Sequence, residues 1–357
     1  MSSLGVACAV VAAGLVAGAP AASASSGLQK AGLHWSKPTH VGHNGIDALA
    51  CPSTSLCVAG SSDGLLVSSD PAGDASTWNL VVVPPASGNA APQVTSVSCP
   101  SASFCAAATL NGDLLTSSDP SGGPTAWQLT RLHLPVGQFP NIHQPLVSCA
   151  SAFLCVAIAQ GAHAVFSTGN PAGGPDKWGS DQLGHGLETV ACTAPHLCLL
   201  GDDHGDVRTS TNPTGGARTW SFAHIFGRPG AVEDLDALAC ASGRYCIVAA
   251  IAYTIGVLVL ATDPTGTKSM TPGAWQDQVA SDPNGLFLSG SCVGGGFCAY
   301  AAEGGTVYFP TRSFRTLTHT RVDRPPRQNL GSESISCTSR HWCALGSGDG
   351  NLYIGTG

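Results

Sequence analysis

Charge is scarce in this chain. Asp, Glu, Lys and Arg make up only 10 % of its 357 residues, lysine occurs four times, and the formal net charge is −7. A partner held through its phosphate backbone needs clustered cations, so no nucleic-acid partner is expected. The one basic cluster, Arg312, Arg315, Arg321, Arg324 and Arg327, reads as a solvated loop or strand face. Long apolar runs are also missing after the N-terminus. Ile247 to Ala261 falls short of the ~20 residues a spanning helix needs, so no membrane span is expected in the mature chain. The twelve histidines, among them His40, His43, His133 and His143, show no H-x-x-x-H or H-E-x-x-H spacing. No Gly-rich phosphate loop joins a strand to a helix, and no G-x-S-x-G stands in a strand–helix context. Neither a metal nor a cofactor is expected.

Glycine and proline are plentiful, at 45 and 24 residues. Both are poor in helix interiors and serve tight turns, so many turns and little helix follow. A hydrophobic content of 43 % still supplies a sizeable core and argues against disorder. The N-terminus carries an apolar stretch from Leu4 to about Ala19, then Ala22-Ser23-Ala24 before Ser25. This is the pattern of a secretory signal peptide over residues 1–24, although no Lys or Arg precedes the apolar stretch. Its removal takes away Cys8 and leaves residues 25–357 as one domain, expected to be secreted or cell-surface and monomeric.

Fourteen of the fifteen cysteines form a repeat. They fall at 51/57, 99/105, 149/155, 192/198, 240/246, 292/298 and 337/343, and every pair is C-x5-C. The first cysteines are 48, 50, 43, 48, 52 and 45 residues apart. Ahead of each first cysteine runs a short strand, A, such as "IDALAC" or "SESISC", whose last residue before Cys is always Ala or Ser. Strand B follows the second cysteine ("LCVAGSS"), then a turn such as Asp63-Gly64 or Asp349-Gly350, then strand C ("GLLVSSD"). A polar loop ending in Trp78, Trp127, Trp178, Trp220 or Trp275 leads into strand D. The last repeat stops after strand C, while a spare strand-D signature stands around Trp35. The pattern predicts an all-β, seven-bladed β-propeller of four-stranded blades, the last blade closed by the N-terminal strand.

The loop between strands C and D resembles the Asp-box of sialidase-like β-propellers. Ser68, Asp70, Gly73 and Trp78 match in the first repeat and Ser117, Asp119, Gly122 and Trp127 in the second, with Asn170 and Asn212 replacing Asp in the next two. The resemblance implies the fold, and in that family the box is a structural hairpin away from the catalytic face. The family's chemistry needs an arginine triad, a Tyr/Glu nucleophile pair and an acidic proton donor. Here none of the five tyrosines has an acidic neighbour in sequence, and "FGRPG" and "SFRTL" are poor versions of the family's start motif.

One pattern falls on a plausible binding surface. Four residues before the first cysteines stand Asp47, Thr95, Pro145, Glu188, Asp236, Leu288 and Glu333. Asp47, Glu188, Asp236 and Glu333 are therefore candidates to ring the mouth of a central channel, for a cation or a polyhydroxylated ligand. The alternative is that they bond nearby strand amides. The segment "GDDHGD", with Asp202, Asp203, His204 and Asp206, falls at a B–C turn and reads as a polar turn. The chain thus reads as a non-catalytic binder of a glycan or protein surface through its D–A/B–C loop face. The alternative is a sialidase-like glycoside hydrolase or lyase using the same face.

C-x5-C is too wide for a redox C-x-x-C, and no further ligands recur with the cysteines to complete a thiolate metal site. An exported chain with this pattern is expected to pair Cys51–Cys57, Cys99–Cys105, Cys149–Cys155, Cys192–Cys198, Cys240–Cys246, Cys292–Cys298 and Cys337–Cys343. Each short loop contributes at most about 2 kcal/mol. Thiol titration of the mature protein in denaturant without reductant should find no free cysteine; several free thiols would refute the pairing.

Overall fold

A computed structural model describes residues 32–42, 44–82, 93–135, 144–193, 195–225, 234–243, 245–252, 255–261, 264, 275–276, 286–310, 317–322 and 333–357. The signal segment, Cys8, His43, His143, Arg312, Arg315, Arg324 and Arg327 lie outside the described residues.

Each repeat is an antiparallel meander running A, B, C, D. In the first, Ala48–Ser53, Leu56–Ser61, Gly64–Ser68 and Trp78–Val81 pair in that order. The B strands are buried along their whole length, as in Leu56–Ser61, Phe104–Thr109, Leu154–Ala159 and Trp342–Ser347. A strand covered on both faces has no polar face to show, so these segments read as continuous apolar or small runs. Seven apolar clusters lie between successive repeats rather than at one centre. Val58 and Leu65 of the first repeat, for instance, meet Val94, Leu115 and Trp127 of the second. Across the seam, Leu352 and Ile354 meet Leu49, Leu66 and Trp78. Strand-A segments contact one another in order around the molecule, and the last, Glu333–Ser339, contacts the first, Ala48–Ser53. The architecture is a β-propeller.

The expectation of seven four-stranded blades is corrected. The described strands form five separate blades, four of four strands and one of five, plus a single seven-stranded sheet. The seven-stranded sheet carries the third and fourth repeats. Its cause is the short link between them: Trp178 lies 14 positions before Cys192, against 21 from Trp78 to Cys99. With no room for a D–A loop, Gly179–Thr193 runs as one 15-residue strand. Its first part pairs with the third repeat (Ser180 with Phe166) and its second with the fourth (Thr189 with Gly201). The extra strand of the five-stranded blade also has a local cause. The N-terminal segment pairs with Asn351–Thr356 in two pieces, His34–Trp35 and Thr39–His40. Pro38 interrupts the ladder, having no N–H. Ser36 spans part of the gap: its N–H donates to Ile354 O (2.8 Å) and its Oγ accepts from Ile354 N–H (3.0 Å).

All seven cysteine pairs are bonded, with Cα–Cα distances of 4.0–4.2 Å across the A–B hairpins. This is consistent with an oxidising, extracellular setting. Among the described residues no helix is long and apolar enough to cross a membrane.

The serine just before the first cysteine has a role the sequence pattern did not disclose. Its hydroxyl accepts the amide N–H of the first cysteine in the following repeat. Cys149 N–H donates to Ser98 (2.9 Å), Cys192 to Ser148 (2.8 Å) and Cys337 to Ser291 (2.9 Å). The seam is closed in the same way, Cys51 N–H donating to Ser336 at 2.8 Å. Ser336→Ala should leave the Cys51 amide without this partner and lower stability by about 1 kcal/mol, measured by urea denaturation. An unchanged midpoint would show that the bond contributes nothing to closure.

Candidate functional site

The meander sorts the loops to two ends. A–B turns, disulfides and C–D loops lie at one end of the strands; B–C turns and D–A connections lie at the other. The Asp-box-like loops are therefore on the end opposite the candidate acidic residues. In each, a hydroxyl two residues earlier accepts the amide of the Asp or Asn: Ser68 for Asp70 (3.1 Å), Ser117 for Asp119 (3.0 Å), Thr168 for Asn170 (3.0 Å) and Ser210 for Asn212 (3.1 Å). Gly73 N–H donates to Asp70 O at 3.0 Å, and a Cβ on Gly73 would stand 2.9 Å from Asp70 Oδ2. The glycine is needed because the acidic side chain folds over its own turn. The following Trp78, Trp127, Trp178 and Trp220 are all buried between sheets.

The candidate acidic residues sit where strand A begins. Glu188 and Asp236 fall at register shifts in the A–B ladders, as do Thr95 and Leu288. Each is the extra residue of a β-bulge, a device that re-aims a side chain away from the regular pleat. Asp47 precedes the first A strand, donates its N–H to Gly60 O (2.9 Å) and has Gln93 Nε2 3.4 Å from its Oδ2. Asp47, Glu188 and Asp236 are half-buried, whereas Glu333 is only 2 % exposed. Glu333 Oε1 accepts Gly305 N–H at 2.9 Å, tying the last A strand to the turn of the preceding repeat. The four residues come from four different repeats, and no three of them bring carboxylate oxygens within 4.8 Å of one another.

The structure brings a different set together. Among the described residues, His185, Asp203 and His204 are the one group of three or more potential ligands with atoms within 4.8 Å of one another. Asp203 and His204 form the turn after Leu197–Asp202, and His185 lies on the long Gly179–Thr193 strand. His204 Nδ1 is 2.6 Å from Asp203 Oδ1, and the His185 and His204 rings meet edge to face at 4.5 Å. The hydrogen bond to Asp203 raises the His204 pKa above its ordinary value. Asp202 builds the turn from below: wholly buried, its Oδ1 accepts the N–H of His204 (3.0 Å) and of Asp206 (2.9 Å). Burial raises the Asp202 carboxyl pKa, with Arg208 Nη2 3.7 Å away opposing the shift. The sequence pointed to this turn as polar but gave no sign of His185, which stands 18 positions before Asp203.

Histidines on strand D also find the residue after the turn glycine. His224 Nδ1 is 2.7 Å from Asp206 Oδ1, and His40 Nδ1 is 3.3 Å from Asn351 Oδ1. These pairs fasten strand D to the turn.

No protein-family model matches the chain, and no curated protein matches it. Solved structures do match, over nearly the whole fold. The WD40 β-propeller domain of Doa1 aligns with TM-score 0.61 and 12 % identity over 91 % of this chain and 97 % of that one. The WD40 repeats of RRP9 align with TM-score 0.61 and 14 % identity over 90 % and 96 %. A YCF48 structure, bound to D1 peptide, aligns with TM-score 0.61 and 10 % identity over 90 % and 97 %. The chain is thus a β-propeller repeat protein similar in fold to WD40 and YCF48 propellers, and these likenesses give no support to the sialidase type.

Because burial raises the Asp202 pKa, its charged form opposes folding: its contribution is favourable below the ordinary carboxylate value, 3.8, and is lost as pH rises through the raised one. Asp202→Asn should therefore gain stability relative to the parent as pH rises through that window, measured by denaturation at several pH values. Asp202→Ala should cost about 2 kcal/mol at low pH by leaving two turn amides unpaired, and that cost should shrink as pH rises through the same window.

Proposed function

We propose that this is an exported, non-catalytic propeller that binds a glycan or protein surface through the face formed by its B–C turns and D–A connections. Residues 1–24 act as the signal peptide and 25–357 as the mature domain, working as a monomer. The observation that carries the non-catalytic reading is the burial of three of the five tyrosines. Tyr300, Tyr308 and Tyr353 lie buried in the sheet interiors. The Tyr300 hydroxyl donates to Ile247 O at 2.9 Å, and burial holds its pKa well above the ordinary value. A phenol kept protonated inside a sheet cannot serve as a glycosidase nucleophile.

The binding reading rests on rigid polar groups at the opposite end from the disulfides. Asn44 Nδ2 donates to Asp63 at 2.7 and 2.8 Å, and the His224–Asp206 and Glu333–Gly305 contacts fix the B–C turns of two other repeats. Preorganised acceptors suit the hydroxyls of a sugar or the amides of a peptide. A YCF48 propeller of the same overall fold is bound to a peptide. Asp47, Glu188 and Asp236 are the contact residues, and Glu333 holds the mouth in shape.

A glycan array and a peptide array, run with a broad glycosidase panel on the mature protein, test this. Binding without turnover is expected, and combined Asp47→Ala, Glu188→Ala and Asp236→Ala changes should weaken it about tenfold or more, a loss of ~1.4 kcal/mol. Turnover of any glycoside would favour the hydrolase or lyase reading instead.

A further inference from the structure

We propose that His185, Asp203 and His204 form a binding site for a divalent ion of the zinc class. Three features support it. First, the ligand types fit: two imidazoles and a carboxylate are a donor set that zinc takes, leaving a fourth position for water. Second, the atoms already converge, lying within 4.8 Å of one another although they come from two separate elements. Tetrahedral ligands ~2.0–2.2 Å from zinc are ~3.3–3.6 Å apart, within reach of small side-chain rotations.

Third, the backbone beneath is fixed. Asp203 N–H donates to Gly186 O at 2.9 Å, which locks the turn to the residue following His185. A Cβ on Gly186 would stand 2.6 Å from Asp203 Oδ2, so the glycine leaves the space that the carboxylate uses. Asp202 holds the His204 amide from inside the sheet. The metal takes the place of the proton between His204 Nδ1 and Asp203 Oδ1, and that proton leaves to solvent. The site differs in kind from the channel-mouth carboxylates, and it stands whether or not those residues bind a ligand.

The test uses untagged, disulfide-bonded mature protein and zinc chloride. Equilibrium dialysis with elemental analysis should find about one zinc ion per chain. His185→Gln and His204→Gln should each weaken retention about tenfold or more, and Asp203→Asn likewise. His196→Gln, an exposed histidine at the A–B turn on the opposite end of the strands, should leave retention unchanged. Zinc should also raise the melting temperature of the parent but not of His204→Gln. The apo melting temperatures show that each variant folds. Failure of the parent to retain zinc, or retention that survives both histidine changes, would overturn the proposal. A loss equally large in His196→Gln would do so too, by pointing to scattered surface histidines.

Discussion

The lateral contact between inner strands is the constraint on which the rest of the molecule depends. In a propeller no sheet has a core of its own; each is buried only by its neighbours, so their spacing must be held around the whole ring. Here one residue does this from two sides. The first cysteine of a repeat is bonded through sulfur to its own B strand. In four places its amide is also bonded to a serine of the preceding repeat. The hairpin is thus fixed internally and registered against the next sheet at the same residue. Where the position holds Ala50, Ala191 or Ala239 there is no hydroxyl to make the bond, and apolar packing between sheets must hold the spacing.

The small residues of strand B follow from the same constraint. Ala106, Ala107 and Ala108, like Ala299 and Ala301, are fully buried between neighbouring sheets. Alanine there keeps adjacent sheets close enough for the serine–amide contacts. Trp78, Trp127, Trp178 and Trp220, at the start of strand D, fill the spaces between sheets farther out. Trp35 does for the last blade what Trp78 does for the first, but its indole N–H reaches Thr320 Oγ1 of the preceding repeat at 3.0 Å. A chain whose first described strand completes its last sheet cannot lose that strand without opening an apolar interface.

Much of this was legible in the sequence because it repeats. Strand order, hairpin turns, cysteine pairing and the pairing of the N-terminal strand with the C-terminal one all rest on local patterns present several times over. The candidate site was less legible. The carboxylates at the start of strand A were visible as a column of positions, but a column does not say that Glu188 and Asp236 are bulged or that Glu333 turns inward to an amide. Those outcomes depend on ladder register, which one residue can shift. His185 was invisible for another reason: its neighbours in space belong to a turn in the next repeat.

The mistaken blade count and the missed histidine have one physical origin. The 43-residue step between the third and fourth cysteine pairs is the shortest in the chain. A link this short cannot form a free D–A loop, so the backbone stays extended and its hydrogen bonds continue from one repeat into the next. That merger turns two sheets into one and removes the loop that elsewhere separates strand D from strand A. It also presses the middle of the strand against the following B–C turn, where Gly186 O accepts Asp203 N–H and His185 meets His204. Elsewhere the spacing from the tryptophan to the next first cysteine is longer, as in the 21 positions from Trp78 to Cys99. The departure from periodicity that makes the architecture irregular is therefore also what creates the molecule's one chemically distinctive cluster among the described residues. In a repeat protein, a shortened spacer is a place to look for a site, because it forces side chains from successive repeats into contact that the regular spacing keeps apart.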